Sequence, residues 1–446
     1  MVRPSAAAGS CHSLIPMRQV YLDHQAATPV APEVFEAMRP YFTESFGNPS
    51  SLHQQGLCAR EALAKARAQV AALINAASPE EIIFTSDGQE SANLAVKGVA
   101  GANQRKGNHI VASATEHPAV LSSLEFLEKQ GFTYSLVKVD KDGMVDPAAV
   151  AAAITPQTIL IAIHYVNHEL GVIEPVRDIG RIAAEHEIPF YVDAEAAAGW
   201  LPIDVQAMGA SLLSFSPHKL YGPKGVGVLY RHKRTRLTSI LHGGVQEGGR
   251  RAGVENVPGI VGGGAAAEIA TRDLPRRMAQ TARLQKRLWE GLKQAVPYLQ
   301  LNGPELGPKR IATNLNFSTK FIEGESQLLL CDMNGIAVAS GSSCVSKSLK
   351  RSHVLAAIGL DPILAQGNLI MSLGPDHTDE DMDYVIQTFA TKVVAKLRGM
   401  SPTWDEFKRG VLDSVITPRG LGRPPADGAT ALSNITTRAA QPSHKP

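Results

Sequence analysis

A lysine that follows an apolar segment is the residue best suited to covalent chemistry in this chain. Lys219 comes after SLLSFS at 211–216 and precedes a glycine-rich turn, YGPKGVG at 221–227. A lysine amine can form a Schiff base with an aldehyde once it loses its proton, which partial burial beside a positive group favours. A solvated loop lysine is the ordinary alternative. A nucleotide-binding loop is excluded, because GxxxxGK[ST] is absent and the glycines lead into a strand.

Three further positions could line the same site. Asp193 ends the apolar segment PFYVDA, where an acid can face a ligand at the carboxyl ends of strands or can simply cap the next segment. His117 lies between a predicted strand and helix, available for stacking or proton transfer, or else exposed. Gly88 and Gln89 open a predicted helix whose N–H groups could receive a phosphate, although an ordinary turn explains them too. Their joint occurrence in this order favours an active site.

The elements that must position these residues alternate along the chain. Helical patterns at 59–74 and 176–187 separate apolar segments of strand length, which predicts a mostly parallel sheet covered by helices. A long helix at 262–297 then leads to a second set of elements, and Thr378 and Asp381 form a predicted capping box. The predicted strands are EIIF (81–84), HIVAS (109–113), TILIAI (158–163), PFYVDA (189–194), SLLSFS (211–216) and GVGVLY (225–230).

Composition and charge limit the function classes. The 446 residues are 44% hydrophobic and 19% charged, as in folded soluble proteins. Of the net charge of +2, residues 1–20 contribute +2 and residues 417–446 contribute +3, so the body carries 2 − 5 = −3. A mildly acidic body argues against nucleic acid as a partner. No apolar run approaches the ~18 residues of a membrane span, so neither membrane insertion nor secretion is expected.

The four cysteines are scattered, which argues against a disulfide scaffold or a structural zinc site and favours a reducing cytoplasm. The start of the chain leaves two readings open: a weak organelle transit peptide, or translation from Met17. The last 30 residues contain five prolines and few apolar residues, so a disordered tail is predicted.

Together these segments resemble the cysteine desulfurases of the NifS/IscS kind, within the class V aminotransferase group of pyridoxal-phosphate (PLP) enzymes. The resemblance runs from about Tyr21 to Gly410. The blocks that carry it are YLDHQAATPV (21–30), FGNPSSLH (46–53), TEHPAV (115–120), SFSPHKLYGPKGVGVLY (214–230) and SGSSC (340–344).

The resemblance implies an α/β protein of PLP-dependent transferase fold type I, with a large, mostly parallel sheet domain and a smaller α/β domain. The predicted boundaries are an N-terminal extension at 1–20, a large PLP-binding domain at 21–265 whose first residues pack with the small domain, a small domain at 266–414 with a mobile cysteine loop, and a disordered tail at 415–446.

The resemblance also implies roles for individual residues. Lys219 would hold PLP and move protons, Asp193 would pair with the ring nitrogen, and His117 would stack on the ring and act as acid or base. Cys344 would take the sulfur of L-cysteine as a persulfide, leaving alanine, and would contact iron–sulfur species transiently. The other cofactor contacts would be Gly88, Gln89, His168, Ser216 and His218.

Five positions depart from the family pattern, and all belong to the expected active site: Gln89, His168, Ala196, Val254 and Ile370. Ile370 replaces an arginine that grips the substrate carboxylate, and a charged bidentate partner contributes about 1.5–3 kcal/mol. Asn48, Arg250 or Arg251 could replace it.

These observations predict a cytoplasmic, homodimeric desulfurase that supplies sulfur to an acceptor or cluster scaffold protein for iron–sulfur cluster assembly or thiolation. Two alternatives stay open: a PLP enzyme of the same group with another substrate, and a non-catalytic paralogue.

Overall fold

The computed structural model describes residues 18–341, 352–409 and 435–438. Its strands are β1 Val20–Tyr21, β2 Ile82–Thr85, β3 His109–Ser113, β4 Thr133–Val137, β5 Thr158–His164, β6 Phe190–Asp193, β7 Leu212–Phe215, β8 Gly227–Arg231, β9 Leu299–Leu301, β10 Asn314–Thr319, β11 Ile336–Ala337, β12 Asn368–Ser372 and β13 Ile435–Arg438.

The helices are α1 Pro32–Met38, α2 Pro40–Thr43, α3 Gln54–Leu73, α4 Gly88–Asn103, α5 Pro118–Glu128, α6 Pro147–Ala153, α7 Val176–Glu185, α8 Gln246–Gly249, α9 Val257–Ala295, α10 Gly324–Asp332, α11 His353–Ala357, α12 Pro362–Gln366, α13 Asp379–Thr388, α14 Ala395–Gly399 and α15 Pro402–Lys408. Residues Phe389–Val394 continue α13 into α14 as a π-helical segment.

The main sheet has eight strands in the order β13-β4-β3-β5-β6-β7-β8-β2. Strands β4, β3, β5, β6 and β7 run parallel, whereas β8 is antiparallel to both β7 and β2. The central strands are buried along their whole length, because helices cover both faces of the sheet. The predicted α/β class with a mostly parallel sheet is therefore confirmed.

A smaller three-stranded antiparallel sheet, β12-β10-β9, packs against the end of α9. Val20 and Leu22, from the start of the described chain, are buried in the same apolar core, and β1 pairs in parallel with β11. Helix α13 begins with the predicted capping box: Thr378 Oγ1 accepts from Asp381 N at 3.2 Å, and Asp381 Oδ2 accepts from Thr378 N at 2.9 Å.

The structure differs from the sequence expectations in three places. Strand β4 and helix α6 were not predicted. The predicted boundary at 265/266 falls inside α9, a continuous helix of 39 residues. Within the segment predicted to be disordered, residues 435–438 form β13 along the edge of β4, and 410–434 and 439–446 lie outside the described residues. Among the described helices, none is long and apolar enough to cross a membrane.

Candidate active site

A cavity of about 460 Å³ opens at the carboxyl ends of the parallel strands. This is where ligands bind in open α/β sheets, because the loops after neighbouring strands meet there. Among the predicted site residues, the cavity is lined by Gly88, Gln89, His117, His168, Asp193, Ser216, His218 and Lys219. The fold thus brings together eight residues that lie up to 131 positions apart in the sequence.

Lys219 lies in a short 3₁₀ turn, Pro217–Lys219, directly after β7. Its Nζ donates to the backbone oxygens of Gln25 and, at 3.2 Å, Ala26, both in the loop after β1. Trp200 Nε1 donates to the Lys219 carbonyl at 3.1 Å. The Lys219 side chain therefore lines the cavity, and its backbone is held by the Trp200 indole.

The same turn is tied to Thr28. Thr28 Oγ1 donates to the His218 carbonyl and accepts from Tyr221 N, both at 2.8 Å. Tyr221 has a φ of +73°, which an L side chain rarely adopts, so these contacts hold the turn in a conformation that costs of order 1–3 kcal/mol. Such a turn keeps Lys219 in one place.

His117 is the N-cap of α5. Its Nδ1 accepts from Ala119 N at 3.1 Å, so a neutral ring carries its proton on Nε2. Burial, together with the positive charge of Lys219, lowers the pKa of His117 to about 4. His117 is therefore neutral at pH 7, and its ring lies edge to face with that of His168 at a centroid distance of 5.1 Å.

Asp193 closes β6 and is buried. Its Oδ1 accepts from Glu195 N at 3.0 Å. Burial and the neighbouring Glu195 carboxylate raise the pKa of Asp193 to about 7. A cationic group brought beside it would lower that pKa, so the site is built to receive a positive partner.

Ser216 and Gly88 meet at the other end of the cavity. Ser216 Oγ accepts from Gly88 N at 2.7 Å and donates to Glu195 Oε1 at 2.7 Å. His218 Nδ1 is buried and has no hydrogen-bond partner among the described residues. Burial lowers the pKa of His218 to about 4, with Lys219 adding to the effect. The hydrogen-bond donors predicted to contact a phosphate are thus present, but Ser216 already donates to Glu195.

The departures from the family pattern divide between the cavity and the surface. Gln89, His168, Ala196 and Ile370 line the cavity, whereas Val254 is 61% exposed and does not. Ile370 is buried in β12. The cavity wall there is therefore apolar, at the place where the resemblance implies an arginine.

None of the three candidates for that arginine's role lines the cavity in the described part of the chain. Asn48 Oδ1 accepts from Ser50 N at 2.9 Å, and Arg251 Nε donates to Glu90 Oε1 at 3.0 Å. The prediction that Asn48, Arg250 or Arg251 contacts the substrate is not supported by this geometry, because local partners hold two of these side chains elsewhere.

Cys344, the predicted sulfur carrier, lies outside the described residues. Cys331 is buried in α10, and burial raises the pKa of its thiol to about 12. Burial of this kind makes the Cys331 thiol unreactive. Cys58 lies half-buried in α3. Among the described residues, no group of three or more His, Cys, Asp or Glu side chains is placed to hold a metal ion.

The sequence reasoning missed several residues that the cavity brings together: Asp23, Gln25, Asp87, Glu169, Glu195 and Trp200. Glu195 could have been found, because an acid two residues after a strand-end acid reaches the same edge of the sheet. Asp23 and Gln25 could not, since they come from a loop whose position depends on the small sheet.

The described residues suit the aldehyde and ring of PLP better than its phosphate. A lysine amine, a buried carboxylate and a neutral imidazole meet where the aldehyde and ring would lie. At the phosphate end, Glu195 Oε1 lies beside Gly88, where a Cβ atom would be. An ionised Glu195 would repel a dianionic phosphate bound there.

Comparison with known proteins identifies close relatives. The class-V aminotransferase family matches residues 20–385. A protein named cysteine desulfurase IscS from Clostridium botulinum is 45% identical over 392 residues, covering 88% of this chain and 98% of the relative. A protein of the same name from Methanosarcina thermophila is 47% identical over 385 residues, covering 86% and 94%.

Solved structures show the same likeness. A NifS-like protein superimposes with a TM-score of 0.79 at 34% identity, covering 84% of this chain and 98% of the other. SspA in complex with cysteine gives 0.71 at 36% identity, covering 80% and 99%. The fold is therefore the fold of PLP-dependent transferases of type I, and the chain belongs to the class-V aminotransferase family, among its cysteine desulfurases.

Proposed function

We propose that this chain is a PLP-dependent cysteine desulfurase that converts L-cysteine to L-alanine and forms a persulfide on Cys344. The observation that carries the proposal is the meeting of Lys219, Asp193 and His117 in one cavity at the carboxyl ends of the sheet. In the overall reaction the Cβ–Sγ bond of L-cysteine breaks, the sulfur bonds to the Cys344 sulfur, and Cβ gains a proton. Atoms and electrons balance without a further oxidant.

Bound PLP supplies an aldehyde and an electron-withdrawing ring that weaken bonds next to the substrate α-carbon. The residues of the chain bind and orient the cofactor and the substrate. Lys219 offers its amine from a fixed turn and is the group that moves a proton next to the α-carbon. Neutral His117 donates from Nε2, since its Nδ1 is engaged by Ala119. Asp193 provides negative charge at the end of β6, where a protonated ring nitrogen is stabilised.

Two structural contacts support a role for the segment that carries Cys344. Before the segment, Gly341 lines the cavity and its N donates to Asn368 Oδ1 at 2.9 Å. After it, Ser352 Oγ donates to Glu169 Oε2 at 2.6 Å, and Glu169 also lines the cavity. Both ends of the segment are therefore fixed at the site, which limits the distance between Cys344 and the substrate.

The proposal includes the wider setting. Four scattered cysteines, one of which must be a free thiol before it reacts, favour a reducing compartment. We therefore place the enzyme in the cytoplasm, as a homodimer that passes sulfur to an acceptor or cluster scaffold protein for iron–sulfur cluster assembly or thiolation. Cys344 makes the transient contact with the iron–sulfur species.

The test is purified protein with PLP, L-cysteine and a reductant, with alanine and sulfide measured. We expect Lys219→Ala and Cys344→Ser to lose at least ~100-fold in alanine formation, because each removes a group that reacts. Cys58→Ser is the matched control, since that thiol lies in α3, and it should retain activity within about twofold. Absence of alanine from the wild-type protein with bound PLP would refute the proposal.

The Ile370 wall favours a second candidate, a PLP enzyme with another amine substrate. None of the described residues that line the cavity is an arginine, so a substrate carboxylate has no strong partner there. An amino-acid and amine panel, read by the visible spectrum of the PLP-bound protein, separates the two. A response confined to L-cysteine supports the desulfurase, a stronger response to another amine supports the second candidate, and no response to any compound supports a non-catalytic paralogue.

A further inference from the structure

Glu195 is the unexpected residue of the cavity. It lies two residues after Asp193, at the carboxyl end of β6, and its Oε1 accepts from Ser216 Oγ at 2.7 Å. Ser216 Oγ in turn accepts from Gly88 N at 2.7 Å. Two successive hydrogen bonds therefore run from Gly88 N, at the start of α4, through Ser216 Oγ to the Glu195 carboxyl oxygen.

Gly88 gives the carboxylate room. A Cβ atom built on Gly88 would overlap Glu195 Oε1, with Ser216 Oγ at 2.9 Å. The 16-residue helix α4 presents its N-terminus here, and a helix N-terminus attracts anions. Glu195 Oε2 is buried and has no hydrogen-bond partner among the described residues. One oxygen of the Glu195 carboxyl group is therefore bound by Ser216, and the other is left without a partner.

The charges around Glu195 do not favour a second anion. Asp87, Asp193 and Lys219 face it, and further carboxylates from Asp23 and Glu169 line the cavity. Burial raises the pKa of Glu195 above its ordinary value; Lys219 and the Ser216 hydrogen bond oppose the rise, and Asp87 adds to it. Ionisation of Glu195 is therefore costly, and a phosphate beside it would increase that cost.

We propose that Glu195 is a cofactor-specificity residue that occupies the phosphate end of the pocket and weakens binding of PLP relative to pyridoxal, its unphosphorylated analogue. The inference rests on the proposed function for the identity of the cofactor. The remaining contacts, from Lys219, Asp193 and His117, are common to both compounds, so Glu195 acts on the difference between them.

The experiment measures the affinities of PLP and pyridoxal for the purified protein by titration, with quenching of Trp200 fluorescence as the readout because Trp200 lines the cavity. Both compounds react with Lys219 through the aldehyde, and differences in their free aldehyde content cancel when the ratio of affinities is compared between the wild type and a variant. Glu195→Gln removes the charge and keeps the shape. We expect it to raise the affinity for PLP about 10-fold or more, and the affinity for pyridoxal by less than about threefold.

Glu169→Gln is the matched control. It removes one carboxylate from the same cavity, but beside Ser352 and away from Ser216 and Gly88. It should leave the ratio of the two affinities within about threefold of the wild-type value. Glu195→Thr is a second variant, which opens the space as well as removing the charge and should match or exceed the effect of Glu195→Gln.

A ratio that moves no more in the Glu195 variants than in Glu169→Gln would overturn the inference. Its failure is distinct from failure of the proposed function. Alanine formation from L-cysteine with an unchanged ratio would refute only the role of Glu195. Tighter PLP binding by Glu195→Gln without alanine from either protein would refute the desulfurase and leave the role of Glu195 standing.

Discussion

His164 ends β5 between two buried carboxylates, one strand from Asp193. Its Nδ1 lies 2.9 Å from Glu116 Oε1, and its Nε2 lies 3.4 Å from Glu174 Oε1. Burial alone would lower the pKa of His164, but the two carboxylates overcome it and raise the pKa to about 10. The imidazole is therefore a fixed cation at neutral pH, held beside the cavity.

This shift predicts a pH dependence of stability. The folded-state pKa of about 10 lies above the unfolded value of 6.5, so the contribution of His164 is complete below pH 6.5 and is lost as pH rises toward 10. The buried acids Asp193 and Glu169 also have raised pKa values, about 7, so the loss of stability that accompanies their ionisation is complete near pH 7. Above that pH, His164 contributes a further loss of stability.

His164→Gln should lower the apparent free energy of unfolding at pH 7 by about 3–5 kcal/mol, because it leaves a buried carboxylate without its cation. It should also flatten the loss of stability between pH 7.5 and 9.5. Urea titrations at several pH values measure both effects, with the exposed His186→Gln as control. A wild-type stability that rises over this pH interval would contradict the assignment.

The sequence predicted those site residues that lie at the ends of strands. Lys219, Asp193 and His117 each follow an apolar segment, so topology alone brings them to one edge. Glu195 follows the same rule, but nothing in the sequence shows that its carboxylate turns toward Gly88, because side-chain direction depends on packing. Asn48 was offered as a replacement for the arginine missing at Ile370, and it does not line the cavity.

Helices α3 and α9 pack closely along their length, and small residues permit the approach. A Cβ atom at Gly264 in α9 would lie 2.6 Å from Ala66 Cα in α3, a backbone atom that cannot move aside alone. Gly101 in α4 is a contrasting glycine, because its nearest neighbours are Thr238 side-chain atoms at 3.7 Å. Both glycines are helical, but only Gly101 has room beside it for a side chain.

Gly264→Val should therefore destabilise the protein by about 1–3 kcal/mol through overpacking. Gly101→Ala should stabilise it by about 0.5–1 kcal/mol, since alanine has the higher helix propensity and the exposed site has room. Thermal unfolding followed by circular dichroism measures both. Equal shifts for the two variants would show that propensity, and not helix approach, decides the outcome at Gly264.

The elements themselves were predictable where periodicity is strong. Helix α7 and strands β3 and β5 match their predicted ranges within two residues at either end. Strand β4 escaped prediction because TYSLV mixes polar and apolar residues within five positions. The predicted domain boundary has no local signal, since α9 runs through it without a break, even past Pro275.

At the scale of the whole molecule, a buried arginine joins the two sheets. Arg310, between β9 and β10, is 3% exposed, and its Nη1 donates to the Leu170 carbonyl in the loop after β5 at 2.8 Å. Its other donors reach the carbonyls of Pro304, at 2.7 Å, and Asn302. Burial lowers the pKa of Arg310 to about 10, which leaves the group charged at neutral pH.

Two asparagine side chains also connect the small sheet to the loop after β5. Asn314 Nδ2 and Asn316 Nδ2, both on β10, donate to the Glu169 carbonyl at 3.0 and 2.9 Å. The loop that carries His168 and Glu169 into the cavity is thus held by the small sheet. The cavity therefore depends on both sheets, and loosening the junction should affect the site as well as the stability.

Arg310→Met tests this dependence. Methionine has similar length but no donor, so it leaves buried carbonyls unsatisfied at a cost of about 1–3 kcal/mol each. We expect one unfolding transition in the wild type and two in the variant. Trp200 reports on the large sheet and Trp289 on the small one, so single-tryptophan versions resolve the two by fluorescence in urea.

The control is Arg272→Met on the exposed side of α9, whose ion pairs with Asp273 and Glu33 are solvated and contribute little to stability. It should unfold in one transition, like the wild type. If Arg310→Met also unfolds in a single transition with both tryptophans changing together, Arg310 is not required to join the sheets. A split transition would show that buried polar contacts join the two halves of the cavity.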